Sequence, residues 1–199
     1  MMRLAIFDMD GTVFESYLDW RKIRAELGMD SGNILKELFL NKNKENLEKI
    51  KIVEKFERKN TLKTLPIQGV KEFLSYLANN SIRTALITNN NRKNTAYLLG
   101  KFNLSFDIVI TRESLLWKPD PEPLAFAMRL FNLTPAETIS IGDSVYDIKA
   151  SCKANVRNIY ILKRDQSDPE FENGVTYFDD YYQLADILKE KCRHVDIEA

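Results

Sequence analysis

Short apolar runs alternate along this chain with segments whose apolar residues recur every three or four positions. The runs predict strands near 3–8, 82–88, 107–111, 138–142 and 156–162, with a short one near 175–178. The spaced segments predict helices near 69–80, 92–102, 121–131, 145–153 and 181–192. Strands that alternate with helices favour an α/β fold with an open parallel sheet.

Residues 16–64 interrupt this alternation, because helical spacing dominates there. Apolar residues recur first at Trp20, Ile23 and Leu27 and then within residues 34–39 and 47–56. We therefore predict a core domain made of residues 1–15 and 66–199. A small all-α unit of residues 16–65 is inserted into it after the first strand.

Carboxylates follow two of the predicted strands directly. The run Leu4–Phe7 ends in Asp8 and Asp10, and the run before Gly142 ends in Asp143, with Asp147 one helical turn further on. Two acids as close as Asp8 and Asp10 repel each other unless a cation or a shared proton compensates. The alternative is a strand that ends in a solvated acidic turn.

A hydroxyl, amides and a cation occupy two further loops. Thr88 closes the run TALIT and is followed by Asn89, whereas Lys118 lies in the proline-rich segment WKPDPEP. Ligands of open α/β sheets bind at the carboxyl ends of the strands. Carboxylates for a divalent cation, donors for an anion and one lysine suit phosphoryl transfer, where catalysis is mainly positioning and charge neutralisation.

Four motifs in order, DMDGT, LITNN, KPDPEP and GDSVYD, resemble those of the haloacid dehalogenase-like superfamily. Within it the chain is similar to the phosphoglycolate phosphatase-like branch. The resemblance implies a Rossmann-like core and makes residues 16–65 a helical cap that closes over the site. It also implies a Mg²⁺-dependent phosphatase that acts on a small soluble phosphomonoester through an aspartyl-phosphate.

The resemblance assigns roles to the acidic residues. Asp8 would be the nucleophile, and Asp10 the general acid for the leaving group and then the base for water. The Asp8 carboxylate, the Asp10 carbonyl and Asp143 would bind Mg²⁺, which prefers oxygen ligands. Asp147 would support the residues that bind the metal or would contact the metal through a water molecule. The alternative is an acid on the helix surface near a helix N-terminus.

The remaining motif positions would serve the phosphate. Phosphate oxygens would be bound by Thr88, the Asn89 backbone amide and Lys118. Gly11 would permit a tight turn beside the ligand, and Thr12 would orient Asp10 by a hydrogen bond. Alternatively, Thr88 merely ends a strand, and Lys118 is a solvated lysine in a loop.

The predicted cap is positively charged relative to the core. Residues 16–64 carry 12 lysines and arginines against 8 acids, whereas the rest carries 17 against 21. A positive cap would favour an anionic substrate, although exposed helices are commonly charged. Arg24 in the first cap helix would contact the non-reacting part of the substrate, or else is a surface residue.

Rival functions stay open at this point. A phosphomutase of the β-phosphoglucomutase type would use the same core, and a non-catalytic binding protein could use the same scaffold. A dehalogenase is disfavoured by Asp10, because the superfamily's dehalogenases lack an acid there. The predicted cap, about 50 residues long, is short for a phosphoglycolate phosphatase, which leaves the substrate open.

Composition narrows the setting. The 199 residues are 44% hydrophobic and 29% charged, as in ordinary globular proteins. The net charge of zero gives no electrostatic case for nucleic acid or an anionic membrane, and no apolar stretch approaches the length of a membrane span. We expect a cytoplasmic monomer or homodimer. His194 is the single histidine, so acid–base work falls to carboxylates.

Overall fold

The computed structural model describes residues 1–30, 32–40, 43–163 and 174–195. Within these ranges six parallel strands form one sheet in the order β3-β2-β1-β4-β5-β6. The strands are β1 (Leu4–Phe7), β2 (Arg83–Ile87), β3 (Ile108–Ile110), β4 (Thr138–Gly142), β5 (Asn158–Leu162) and β6 (Val175–Phe178). Each strand begins and ends within two residues of its prediction, and the open α/β sheet is confirmed.

Eight helices accompany the sheet in the described ranges. They are α1 (Trp20–Leu27), α2 (Ile34–Leu40), α3 (Lys44–Lys63), α4 (Val70–Asn79), α5 (Arg92–Phe102), α6 (Glu122–Phe131), α7 (Val145–Lys153) and α8 (Tyr181–Val195). The last five follow the predicted helices closely. None of the helices described is long and apolar enough to cross a membrane.

Strand β1 lies at the centre of the sheet and is buried on both faces. Ala5 and Phe7 belong to one apolar cluster, with residues of α4 and α8, whereas Leu4 and Ile6 belong to a second cluster with residues of α6. Successive side chains of a strand point to opposite faces, so a continuous apolar run is needed for a strand covered by helices on both sides.

The register places the carboxyl ends of the central strands side by side. Phe7, the last residue of β1, is aligned with Leu86 of β2 and Ile141 of β4. Since all three strands run in parallel, the residues that follow them emerge at one edge of the sheet. This edge carries the loops that begin at Asp8, Thr88 and Asp143.

Helices α1–α3 lie between β1 and α4 and enclose an apolar cluster of their own. The cluster includes Ile23 and Leu27 of α1, Ile34 and Leu38 of α2, and Ile50 and Val53 of α3. Asp19 caps the N-terminus of α1, since its side chain accepts from the Lys22 backbone amide. Gly28 caps the C-terminus of the helix with a left-handed φ of 64°. We call residues 16–65 the helical insert; its standing as a separate cap domain stays a prediction.

Candidate active site

The loops after β1 and β2 begin with backbone hydrogen bonds to the neighbouring strands. The Asp8 amide donates to the Ile141 carbonyl at 2.9 Å, and the Thr88 amide donates to the Ile110 carbonyl at 2.9 Å. The sheet ladder thus continues for one residue beyond each strand. Asp8 and Thr88 are therefore fixed by the sheet itself, although both belong to loops.

Lys118 lies buried between two carboxylates. Its ammonium group donates to Asp8 and, at 2.6 Å, to Oδ1 of Asp147. The Lys118 side chain is 6% exposed, so water screens these interactions poorly. The structure thus brings together three of the sequence-predicted residues, from the loop after β1, from α7 and from the proline-rich loop.

The pKa values of this group reflect burial and mutual charge. Burial is the main reason that the pKa of Asp8 is raised to about 6; the Lys118 cation opposes this rise, and the Asp147 charge adds to it. Burial lowers the pKa of Lys118, but the carboxylates of Asp147 and Asp8 outweigh it and leave the pKa above its ordinary value. Lys118 is therefore a permanent cation beside Asp8.

Three carboxylates converge near the end of β1. One oxygen each of Asp8, Asp143 and Asp147 lies within 4.8 Å of the others. Carboxylate oxygens are the kind of ligand that hard divalent cations bind, so the cluster is consistent with metal binding. Asp147 already accepts from Lys118 through Oδ1 and from Ser144 Oγ through Oδ2, at 2.6 Å each. Both carboxylate oxygens of Asp147 are thus engaged within the protein.

Asp10 lies beside Asp8 and is held by an asparagine that follows β2. Asn90 Nδ2 donates to Asp10 Oδ2 at 2.8 Å. Burial is the main reason that the pKa of Asp10 is raised to about 7; the Asp8 charge contributes to this rise and Glu57 contributes less. Asp10 is therefore a carboxyl group that exchanges its proton near neutral pH, as a general acid and base requires.

The residues after Asp10 agree with prediction in one case and not in the other. Gly11 has a φ of 93°, and its amide donates to the Phe14 carbonyl at 2.6 Å, so the predicted tight turn is present. The predicted hydrogen bond from Thr12 to Asp10 is wrong. The Thr12 hydroxyl is buried without a hydrogen-bond partner among the described residues. Asn90, which the sequence analysis did not single out, contacts Asp10 instead.

Asn89 joins the loop after β2 to the loop that carries Lys118. Its Nδ2 donates to the Lys118 carbonyl at 3.0 Å, and its Oδ1 accepts from the Lys118 amide at 3.1 Å. The Thr88 hydroxyl oxygen accepts from the Asn90 backbone amide at 3.0 Å. The hydroxyl proton of Thr88 can still be donated. The Asn89 side chain thus positions the lysine loop, a function that its sequence position did not indicate.

A cavity of about 440 Å³ extends from these residues to the helical insert. Its walls include Asp8, Asp10, Thr88, Asn89, Lys118 and Asp147 on the sheet side and Leu18, Trp20, Arg24, Asn33, Ile34 and Leu35 on the insert side. Arg24 donates through Nη2 to the Gly32 carbonyl at 2.9 Å, whereas Nη1 is buried without a hydrogen-bond partner among the described residues. A larger cavity near Arg83 and Asp107 lies at the opposite edge of the sheet, away from this chemistry.

A buried ion pair between Glu57 of α3 and Arg112 of the core joins the insert to the sheet. Phe39 of α2 lies over the Arg112 guanidinium, 4.5 Å from its ring centre. Trp117 is buried and donates through Nε1 to the Arg112 carbonyl at 2.7 Å. Glu57 and Arg112 gave no signal in the sequence, because isolated charges on a helix and in a loop look like surface residues.

Comparison with known proteins identifies the family. The model of the family described as haloacid dehalogenase-like hydrolase matches residues 14–161. The chain therefore belongs to the haloacid dehalogenase-like hydrolases, as the four motifs predicted. The family model covers the loops of Thr88, Lys118 and Asp143.

Individual relatives match different shares of the chain. "Putative pyrophosphatase PpaX" of Caldanaerobacter subterraneus subsp. tengcongensis is 30% identical over 61% of this chain and 58% of its own length. Phosphoglycolate phosphatase of Psychrobacter arcticus is 27% identical over 94% of this chain and 95% of its own. A crystal structure described as "putative beta-phosphoglucomutase from Thermotoga maritima" has a TM-score of 0.70 at 21% identity, covering 95% of this chain and 99% of that one. This structural likeness concerns the fold.

Proposed function

We propose that the protein is a Mg²⁺-dependent phosphatase that hydrolyses a small phosphomonoester through an aspartyl-phosphate. The observation that carries the proposal is the placement of Lys118 against Asp8 at the floor of the cavity, with Asp10 beside them. The relatives named for phosphate hydrolysis support a phosphoric monoester hydrolase. None of the described residues that line the cavity favours a mutase over a hydrolase.

Asp8 and Asp143, with the Asp10 carbonyl, are the groups that would hold Mg²⁺. Their suitability rests on the convergence of Asp8, Asp143 and Asp147 oxygens within 4.8 Å. Bound there, the ion would neutralise charge on the phosphoryl group and on Asp8. Asp147 would hold Lys118 and the start of α7 rather than bind the ion directly.

The proposed reaction has two steps. In the first, a carboxylate oxygen of Asp8 forms a bond to phosphorus as the bond from phosphorus to the ester oxygen breaks, and Asp10 gives its proton to the departing alkoxide. In the second, Asp10 takes a proton from water, which attacks phosphorus and displaces the Asp8 carboxylate. Inorganic phosphate and an alcohol are the products.

The phosphoryl oxygens would be bound by groups already fixed in place. Thr88, Asn89 and Lys118 line the cavity together with Asp8. The donors they would offer are the Thr88 hydroxyl, the Asn89 backbone amide and the Lys118 ammonium. Because the Asn89 side chain holds the Lys118 backbone, these donors keep their spacing without rearrangement. The tight turn at Gly11 would let the backbone approach the ligand.

The helical insert would act as the cap that recognises the rest of the substrate. Arg24 lines the cavity with one guanidinium nitrogen buried and without a partner among the described residues. A carboxylate or a second phosphate on the substrate would satisfy it. The apolar residues Leu18, Ile34 and Leu35 would exclude water around the ester.

Phosphate release from a panel of esters tests the proposal. The panel contains phosphoglycolate, sugar phosphates, nucleotides and 4-nitrophenyl phosphate, with pyrophosphate alongside, each with Mg²⁺ and with EDTA. We expect Mg²⁺-dependent release that Asp8→Asn abolishes and Asp186→Asn, at an exposed site on α8, leaves intact. Conversion of a sugar phosphate to an isomer would favour the mutase, and no turnover by folded protein would contradict both enzymes.

A further inference from the structure

Glu57 is a buried carboxylate on the helical insert that makes three hydrogen bonds to the core. Its Oε1 and Oε2 accept from Nη1 and Nη2 of Arg112 at 2.8 and 2.9 Å, and Oε2 also accepts from Asn91 Nδ2 at 3.0 Å. The two charged side chains are 3% and 2% exposed. Separation would leave each charge buried without its partner, which is strongly destabilising. This contact therefore fixes α3 against the core.

A chain of hydrogen bonds leads from this ion pair to Asp10. The Asn91 side chain binds Glu57, while its backbone amide donates to Asn90 Oδ1 at 2.8 Å. Asn94 Nδ2 donates to the same oxygen at 3.3 Å. Because Oδ1 accepts from both, the Asn90 amide group is turned so that Nδ2 faces Asp10. Asn90 Nδ2 then donates to Asp10 Oδ2 at 2.8 Å.

Arg112 reaches the same asparagine by a second route. Its backbone amide donates to the Asn90 carbonyl at 3.0 Å. Both groups that Glu57 binds, Asn91 and Arg112, therefore hold Asn90 in turn. The carboxylate of the insert thus fixes the residue that contacts Asp10 without touching Asp10 itself.

We propose that Glu57 is a positioning residue: with Arg112 and Asn91 it locks the helical insert against the core and holds the Asn90 amide on the Asp10 carboxyl. The inference rests on the proposed function, in which Asp10 transfers the proton. If Glu57 has this role, the Asp10 carboxyl is held in place as proton donor when the helical insert lies against the core.

Kinetics on two kinds of ester test this role. Glu57→Gln keeps the shape of the side chain but removes its charge, and Glu54→Gln makes the same change at an exposed site on the same helix. An alkyl phosphate needs a proton from Asp10 on departure, whereas 4-nitrophenolate leaves readily without one. We expect Glu57→Gln to lower kcat about tenfold or more on the alkyl ester, with a much smaller effect on 4-nitrophenyl phosphate.

The outcomes separate positioning from a merely structural role. Equal losses on both esters, or a loss confined to KM, would overturn the proposal, as would wild-type kinetics. If Glu57→Gln folds poorly, the double variant Glu57→Gln/Arg112→Met leaves no unpaired charge and should show the same split between esters. Equal rates of the double variant and the wild-type protein on the alkyl ester would again overturn it.

Amide hydrogen exchange tests the geometry without any turnover. Glu57→Gln should speed exchange in α3 and in residues 88–94 relative to Glu54→Gln, because the contact between them is weakened. Unchanged exchange in both segments would contradict the positioning role. If the wild-type protein releases no phosphate, the proposed function fails, while this measurement still decides whether Glu57 holds the two segments together.

Discussion

Gly142 and Asp147 approach each other so closely that a Cβ added to Gly142 would lie 2.4 Å from the Asp147 Cβ. The same atom would lie 2.8 Å from Oδ2 of that carboxylate. Gly142 is the last residue of β4, and Asp147 lies in the first turn of α7. The absence of a side chain at Gly142 therefore allows Asp147 to sit against the strand end and reach Lys118.

Gly142→Ala should displace Asp147 and with it the Lys118 ammonium. We expect phosphatase activity to fall at least tenfold, because a displacement of about 1 Å at a catalytic group has large effects. Gly100→Ala is the matched control, since a Cβ at this exposed helical position meets nothing within 4 Å. It should leave activity unchanged and stabilise the fold by about 0.5–1 kcal/mol. Full activity of Gly142→Ala would show that Asp147 can move without consequence.

Lys118→Met should destabilise the metal-free protein near neutral pH by about 3–5 kcal/mol, because two buried carboxylates lose their shared cation. Added Mg²⁺ should raise the midpoint of thermal unfolding of this variant more than that of the wild-type protein. Thermal unfolding with EDTA and with Mg²⁺ provides the measurement. Lys149→Met, at an exposed site on α7, should behave as wild type. A variant equally stable in EDTA would contradict the assigned charge balance.

The raised pKa of Asp10 makes stability depend on pH. Its ordinary pKa of 3.8 rises to about 7 in the folded protein, so the native state holds this proton more tightly than the unfolded chain does. The stability it contributes is full below about pH 4 and is lost as the pH rises through about 7. The pKa of Asp8, raised to about 6, acts in the same direction.

Asp10→Asn removes this ionisation. The stability of the variant relative to the wild-type protein should therefore increase as the pH rises. In EDTA, we expect the difference in the free energy of unfolding to shift by on the order of 2 kcal/mol in favour of the variant between pH 5 and pH 8. Urea unfolding at the two pH values measures it. Asp186→Asn should show no such shift, and a shift of the opposite sign would mean that the Asp10 pKa is not raised.

Arg24→Gln tests how the rest of the substrate is recognised. We expect KM to rise about tenfold or more for an ester with a second anionic group, since a charge-assisted hydrogen bond is lost. KM for 4-nitrophenyl phosphate should hardly change, because it has no second anion. Arg21→Gln, exposed on the same helix, is the control. Equal effects of the two variants would place the second anion away from Arg24.

The sheet and the residues at its edge could be predicted because their physical signals are local. A strand buried on both faces must be a continuous apolar run, and a carboxylate that ends it is visible in the sequence. Asn90 and Glu57 gave no such signal in the sequence. Their partners Asp10 and Arg112 are distant along the chain and are brought to them only by the fold. The Thr12 hydroxyl was predicted to orient Asp10 from proximity in sequence, but the turn at Gly11 carries the chain past that position.

The position of β1 at the centre of the sheet has a consequence for how the chain is made. Its partners β2 and β4 begin at Arg83 and Thr138, so β1 leaves the ribosome long before either neighbour exists. Until β4 pairs, one edge of β1 presents unsatisfied amides and carbonyls that can recruit strands of other chains. A nascent chain that ends before Thr138 should therefore depend on chaperones, and premature termination there should yield aggregates rather than a smaller folded protein.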